Sequence, residues 1–575
     1  MSSRWTHYAV LTGMSLGLFF ANLGGASLWD VDEGRNLTCA WEMSERDIIE
    51  PTFNSVLRVD KPALLYWLQI ACYQVFGFNE FAGRFPSALA ALVTVLVAYE
   101  LGRSLFGART GLLGGCLVAT TPMVCGAARF ANPDALLNCL TCLTLALFWI
   151  GQRWRRSLWF SAVGAASGLA FFAKGPVGVV LPGGVIFLFM AWERRLKELV
   201  DRRLLLGVLA FVATAAPWYG WVGVTTKGEW LKGFFFRHNV DRFLSPMESH
   251  DGFPGFYLLV VLLGTLPWSV FFGFSWWYGF WSLWPSWGER RNSGAWRARW
   301  TETWRRCADR EDGDTLLRAA RYRFLVVWML LYLLFFSVAA TKLPNYVLPA
   351  VVPFCLLTAR FLERWRRGAI RPSFVGLRLG LACLLLFGAG LTIGLLIVSG
   401  ATPIAGMRRV YPALAPWAGL GALPIAGAAL GWWLLRREAS GRGIASLRTA
   451  WIGALVGGSF LFWGALGAGA STAFNRYKAA RPLVEASGAS RLDEEMLIGA
   501  YRVEHLPSLH FYLRRNVLYF HGEDDARVFL RYPTRVFLFV PAGVWDSWRG
   551  AVSAREAGRH WDLYHNEEIV VLTNR

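Results

Sequence analysis

Thirteen apolar segments run along the chain, at about 7–26, 81–101, 111–128, 135–150, 157–173, 176–192, 204–222, 254–283, 324–340, 346–362, 374–398, 417–435 and 449–468. Most approach the ~20 residues needed to cross ~30 Å of hydrocarbon at 1.5 Å per residue. The segments at 135–150, 157–173 and 346–362 are short, which suits helices buried among others or tilted little. After residue 469 the pattern changes. Apolar runs shrink to strand length at Met496–Tyr501, Val517–Phe520, Val536–Val540 and Ile569–Leu572, with helix-like stretches at 475–486, 506–515 and 524–530 between them. The pattern predicts an all-α polytopic membrane domain of about thirteen transmembrane helices over residues 1–469. A small soluble α/β domain follows over 470–575.

Composition agrees. Of 575 residues, 55% are hydrophobic and only 17% charged, against roughly 25% charged in a soluble domain. One water-soluble core is excluded, as are disorder and a disulfide scaffold. The net charge of +20 does not point to nucleic acid, because the basic residues follow the loops. Alternate loops hold Arg103 and Arg109, Arg153–Arg156, Arg194–Arg203, an Arg-dense stretch 285–323, Arg360–Arg371 and Arg436–Arg448. The positive-inside rule then puts the N-terminus in the cytoplasm and, after thirteen crossings, the C-terminus in the periplasm of a bacterial inner membrane. The first segment reads as an uncleaved span, since no small-x-small cleavage site precedes Trp29. None of the nine cysteines lies in the last 105 residues, so disulfides are not expected there. Cys139-x-x-Cys142 sits inside an apolar span and reads as packing.

Two outer loops are long, 27–80 and 223–253, and long loops on one face usually carry function. Within the first, Lys61–Gly77 is apolar and aromatic but too short to span. It reads equally as a helix lying on the outer leaflet, with Leu64, Trp67, Leu68, Cys72 and Val75 on one face, or as one packed on the bundle. The same loop opens with Trp29-Asp-Val-Asp-Glu-Gly-Arg35 and carries Arg58-Val-Asp-Lys-Pro62. Arg129 and Asp134 bracket the third outer turn. Lys174 lies in Ala-Lys-Gly-Pro, Lys342 in Thr-Lys-Leu-Pro-Asn-Tyr346, and the second loop supplies Arg237-His-Asn-Val-Asp-Arg242. Snorkelling explains any one of these cations, but not the gathering of acids and bases on one face. Such a face suits a lipid-linked phosphate, its tail between helices and its phosphate against Lys and Arg. The chain has no Walker motif, G-x-S-x-G or H-E-x-x-H, so ATP-driven transport, serine hydrolysis and zinc proteolysis lose support.

In order along the chain, Trp29–Arg35, Asp60-Lys-Pro62 before Tyr66-Trp67, Phe78–Arg84, Asn132-Pro-Asp134, Lys174-Gly175, Leu266-Pro-Trp268 and Lys342–Tyr346 resemble bacterial type-C glycosyltransferases, the group of protein O-mannosyltransferases and aminoarabinose transferases. Phe234–Phe243 brings the resemblance nearer to the aminoarabinose branch. That branch commonly has Glu-Lys-Pro where this chain has Asp60-Lys61-Pro62, a carboxylate shorter by one methylene.

The resemblance implies a type-C fold and a donor, undecaprenyl phosphate carrying 4-amino-4-deoxy-L-arabinose. The acceptor is a phosphate of lipid A at the periplasmic face, and the product gives resistance to polymyxin and similar cationic peptides. The expected chemistry is an inverting displacement at the anomeric carbon. Asp32, Glu33, Lys61 and Asp134 are the expected catalytic residues. Arg35, Arg58, Lys174, Arg242, Lys342 and Tyr346 are expected to bind the substrates. Asp60 with His238 offers the ligand types of a zinc site, although no cofactor is required. The expected partners are the donor, lipid A and membrane lipids, with no nucleic acid, and the protein is expected to act as a monomer. Two alternatives stay open: a polyprenyl-phosphate-dependent protein O-mannosyltransferase, and a non-enzymatic lipid transporter. The transporter predicts charges along mid-span faces, where few occur.

Overall fold

A computed structural model describes residues 2–152, 155–245, 252–253, 255–283, 315–370, 372–402, 409–438, 444–491 and 495–575. Every predicted apolar segment falls on a helix or helix pair. Eight helices are long and apolar enough to cross a membrane: 80–106, 133–151, 204–225, 319–338, 344–366, 375–398, 412–437 and 445–477. Two more segments are bent pairs. Ala108–Ala119 meets Pro122–Ala128 at 63°, and Phe256–Gly264 meets Trp268–Trp281 at 115°. Length and composition thus give eight to ten spans among the described residues, against the thirteen expected. Val177–Trp192, of 16 residues, falls short of the bilayer's width, Ser2–Ser15 reaches 19 residues only with the π-helical turn Leu16–Phe20 that continues it, and Arg156–Lys174 has a cation at each end.

Helix Glu80–Phe106 works as a ruler for the molecule. Asn79 caps it, its side chain accepting from the Ala82 amide. Near this start Glu80 accepts hydrogen bonds from Arg481 and Tyr512. Twenty residues on, about 30 Å along the axis at 1.5 Å per residue, Glu100 accepts from Arg4, Tyr8 and Arg103. The first residues of the chain and its C-terminal domain therefore lie at opposite ends of the bundle. The long first loop lies at the Glu80 end. It forms helix Asp32–Glu45, a hairpin of β1 (Thr52–Phe53) and β2 (Val56–Leu57), and helix Leu64–Phe76.

Helix Leu64–Phe76 packs one face on the bundle. Leu65, Tyr66, Gln69, Ile70 and Tyr73 are buried against the bundle. Of the predicted apolar face, Leu68 and Val75 are exposed, whereas Leu64, Trp67 and Cys72 pack against the bundle.

The C-terminal domain is a five-stranded sheet of β3 (Met496–Tyr501), β4 (Leu518–Phe520), β5 (Arg535–Pro541), β6 (Arg555–Asp562) and β7 (Glu567–Thr573), in the order β4-β3-β5-β7-β6. β3, β4 and β5 are parallel, and β7 runs antiparallel to β5 and β6. Strand β6 has no apolar signature in the sequence because it is an edge strand with its side chains largely outside the core. Helices 480–487, 508–513, 523–529 and 542–548 cover the sheet. All described cysteines are free, and six of the eight are buried. Cys307 and the Arg-rich stretch 285–314 lie outside the described residues.

Candidate active site

The site forms where the first loop meets the outer turns of the bundle. Residues 26–29 have no regular structure, and helix Asp32–Glu45 starts after a turn at residues 30–31. Glu33 fixes this start. Its carboxylate takes two 2.7 Å bonds from Arg84 and accepts the backbone amides of Trp29 and Ala131 at 2.8 and 2.9 Å. Arg84 also donates to the carbonyls of Leu23, Ala26 and Ser27. The pair is enclosed, with side chains 0% and 2% exposed. Such a pair is retained only when every polar atom has a partner. Glu33 therefore joins three backbone segments and faces none of the cavity, although the sequence makes it a catalytic candidate.

Asp32, one residue earlier, is half exposed and lies on the other side. Its Oδ1 is 3.2 Å from the Lys61 ammonium, and its Oδ2 accepts from Asn132 at 3.2 Å. The Lys61 charge holds the Asp32 carboxyl well below its ordinary range. Burial draws Lys61 downward while Asp32 pulls it back up. Asn36, one helical turn after Asp32, is fully buried. Its Oδ1 accepts from Lys61 and from Arg58, at 3.4 and 3.1 Å, and its amide donates to the Ala131 carbonyl. Arg58 reaches on to Asp60, Nε to Oδ2 at 3.2 Å, and the other Asp60 oxygen is 3.4 Å from His238 Nε2. Burial alone raises the Asp60 pKa, but Arg58, His238 and Lys61 outweigh it and bring the pKa below the usual value.

A second cluster adjoins the first. Pro133 opens helix 133–151 at the position where a missing N–H costs nothing, and Asp134 in that first turn forms an ion pair with Lys174 and accepts from Asn345. Lys174 ends its helix because Gly175 follows at φ 78°, and a Cβ there would stand 2.5 Å from Phe234. The last-turn position also favours a cation. The Lys174 ammonium lies 5.1 Å from the centre of the Tyr346 ring.

A cavity of about 510 Å³ connects the clusters. Asp60, Lys61, Asp134, Lys174, His238 and Asn345 line its polar part. Val180, Phe235, Phe243, Phe335 and Phe336 line an apolar part beside helices 177–192 and 315–338. Two predicted binding residues, Arg35 and Lys342, are placed away from the cavity lining. Arg35 lies toward Tyr519 of the C-terminal domain. Burial pushes the Tyr519 hydroxyl above its ordinary pKa, and the Arg35 charge only opposes that rise. Lys342 donates to the Ala339 carbonyl. The Arg242 side chain lies outside the described residues. Asp60 and His238 are side by side as predicted, but no group of three His, Cys, Asp or Glu suited to a metal occurs among the described residues.

Residues 60–221 match a family model described as dolichyl-phosphate-mannose-protein mannosyltransferase. An undecaprenyl phosphate-α-4-amino-4-deoxy-L-arabinose arabinosyl transferase of Pseudomonas aeruginosa is 32% identical over 397 residues, covering 67% of this chain and 65% of that protein. The chain is similar to this type-C glycosyltransferase group. It spans about 65% of the length of the curated relatives it matches first. The fold is that of solved structures of ArnT from Cupriavidus metallidurans. One, bound to undecaprenyl phosphate, aligns over 100% of this chain and 99% of its own with TM-score 0.75 and 22% identity, and the apo form gives 0.74 and 23%.

Three amides complete this candidate site: Asn36, Asn132 and Asn345 each bind a site charge. Sequence reasoning passes over them because an isolated Asn carries no charge signal. Their positions, one turn after Asp32 and within Asn-Pro-Asp and Leu-Pro-Asn-Tyr, were the available clues.

Proposed function

We propose that the chain transfers 4-amino-4-deoxy-L-arabinose from undecaprenyl phosphate to a phosphate of lipid A, as a monomer at the periplasmic face of a bacterial inner membrane. In this reading the N-terminus is cytoplasmic and the C-terminal domain periplasmic. The observation that carries it is the cavity, which combines paired carboxylates and ammonium groups with a wall of phenylalanines. That combination accommodates a phosphate, a polar sugar and a prenyl chain together. The P. aeruginosa relative's name and the ligand of the C. metallidurans structure supply the sugar and the lipid.

An acceptor phosphate oxygen attacks the anomeric carbon and forms the new C–O bond. The bond to the donor phosphate oxygen breaks on the opposite face, and that oxygen leaves with the electron pair. Lys61 and Lys174 neutralise the leaving phosphate. The acceptor phosphate is ionised at pH 7 and needs no base, so Asp32 orients it or holds the sugar's ammonium. Asp134 holds Lys174, and Arg58 with Asn36 holds Asp60 and Lys61. A zinc ion bound between Asp60 and His238 would act as a Lewis acid toward phosphate oxygen. Zinc alone, titrated calorimetrically into the purified protein, is expected to bind reversibly, and His238→Ala is expected to abolish the binding.

The family model matched by residues 60–221 favours protein mannosylation as the second reading. Deletion in a polymyxin-resistant host separates the two. Mass spectrometry is expected to show loss of aminoarabinose from lipid A with secreted proteins unchanged. Loss of protein-bound hexose with intact lipid A would reverse the assignment.

A further inference from the structure

The segment that delivers Asp32 is held on one side by the C-terminal domain and its linker. Asn475 accepts from the Ser27 amide and donates to the Gly25 carbonyl, both at 2.8 Å. Lys478 donates to the Ser27 carbonyl at 2.8 Å, with its ammonium 3.2 Å from the centre of the Trp29 ring. The Tyr512 hydroxyl accepts the Leu28 amide and the Tyr564 hydroxyl the Asp30 amide, each at 3.0 Å. The grip ends at the half-buried Asp30, whose carboxylate accepts both the amide and the hydroxyl of the buried Ser508. Irregular backbone in a crowded place must find a partner for every polar group. Here residues some 450 to 530 positions away in sequence supply most of them.

The fit leaves no slack. A Cβ on Gly34 would stand 2.4 Å from the Ser508 nitrogen and 2.5 Å from Asp30 Oδ1. The first turn of helix 32–45 thus rests directly on the start of helix 508–513. On the opposite side Arg84 and Glu33 hold the same segment from within the bundle.

We propose that Ser508 and Tyr564 are positioning residues of the transfer reaction: by gripping Ser27–Asp30 they set where Asp32 stands relative to Lys61, so the C-terminal domain completes a site to which it contributes no reacting group. This rests on the reading of the cavity as the transfer site. A displacement of about 1 Å in a reacting geometry is enough to cost about 100-fold in rate.

The test uses the full-length protein with Tyr564→Phe and Ser508→Ala, each of which removes one hydroxyl. Hydrogen exchange should rise in residues 27–36 and stay unchanged in helix 133–151. In lipid A modification, kcat should fall at least tenfold while the affinity for undecaprenyl phosphate stays within twofold. Ser508→Thr, which keeps the hydroxyl, should recover most of kcat. Unchanged exchange in 27–36 would overturn the proposal whatever the activity. So would unchanged kcat with a loosened segment, or a joint loss of lipid affinity and melting temperature that marks a purely structural role. If the wild type transfers no aminoarabinose, the functional reading fails, while the exchange experiment still decides whether the domain grips the segment.

Discussion

Lys61→Ala is expected to lower transfer by about 10²–10³-fold, the usual cost of removing a donor aimed at charge that develops in a transition state. The Lys61 side chain is 16% exposed, sits on the cavity wall and is held by two fixed oxygens, those of Asp32 and Asn36. Asp32→Asn should fall in the same range, since it removes the Lys61 partner and leaves that ammonium without its counter-charge. Both variants should reach the membrane in wild-type amounts, because Asp32 is half exposed and makes no backbone contact that the fold depends on. Transfer to lipid A in vitro and polymyxin susceptibility of a complemented deletion strain check this. Full modification of lipid A by both variants would remove the site assignment.

The second large effect concerns folding. Arg84→Ala leaves the Glu33 carboxylate buried without a counter-charge and removes the donor to three carbonyls. Breaking one partner of a buried pair costs about 3–5 kcal/mol, a large fraction of a typical folding free energy. The variant should accumulate poorly and melt well below the wild type in detergent. Glu33→Ala should do the same, and both should lose donor affinity along with stability. This pattern separates Glu33 from its neighbour Asp32. Adjacent acids at a helix start act on opposite faces, one as scaffold and one at the cavity. A stable, inactive Glu33→Ala protein would return Glu33 to the catalytic set.

Much of the fold was legible because hydrophobic periodicity is a local property. Each apolar segment found its helix, and short apolar runs marked four of the five strands. The edge strand 555–562 was missed because an exposed strand has no burial to write into its sequence. Length and composition alone recover eight to ten of the thirteen expected spans, and each bent pair, such as the one broken by 115° at Thr265–Pro267, falls on a single predicted segment.

At the site, charge at membrane depth drew attention to Asp32, Lys61, Asp134 and Lys174, which do meet around one cavity or touch its wall. Glu33, Arg35 and Lys342 carried the same signal and serve other contacts. The composition and order of residues by themselves determined that this chain lies in a membrane, where its helices fall, and which outer loops carry charge. Only the tertiary structure decided which charges face each other, that three asparagines connect them, and that a domain 450 residues downstream holds the first loop. The physical reason is that burial of apolar surface is written residue by residue along a helix, whereas a hydrogen-bonded ion network depends on angles and distances that no single stretch of sequence contains.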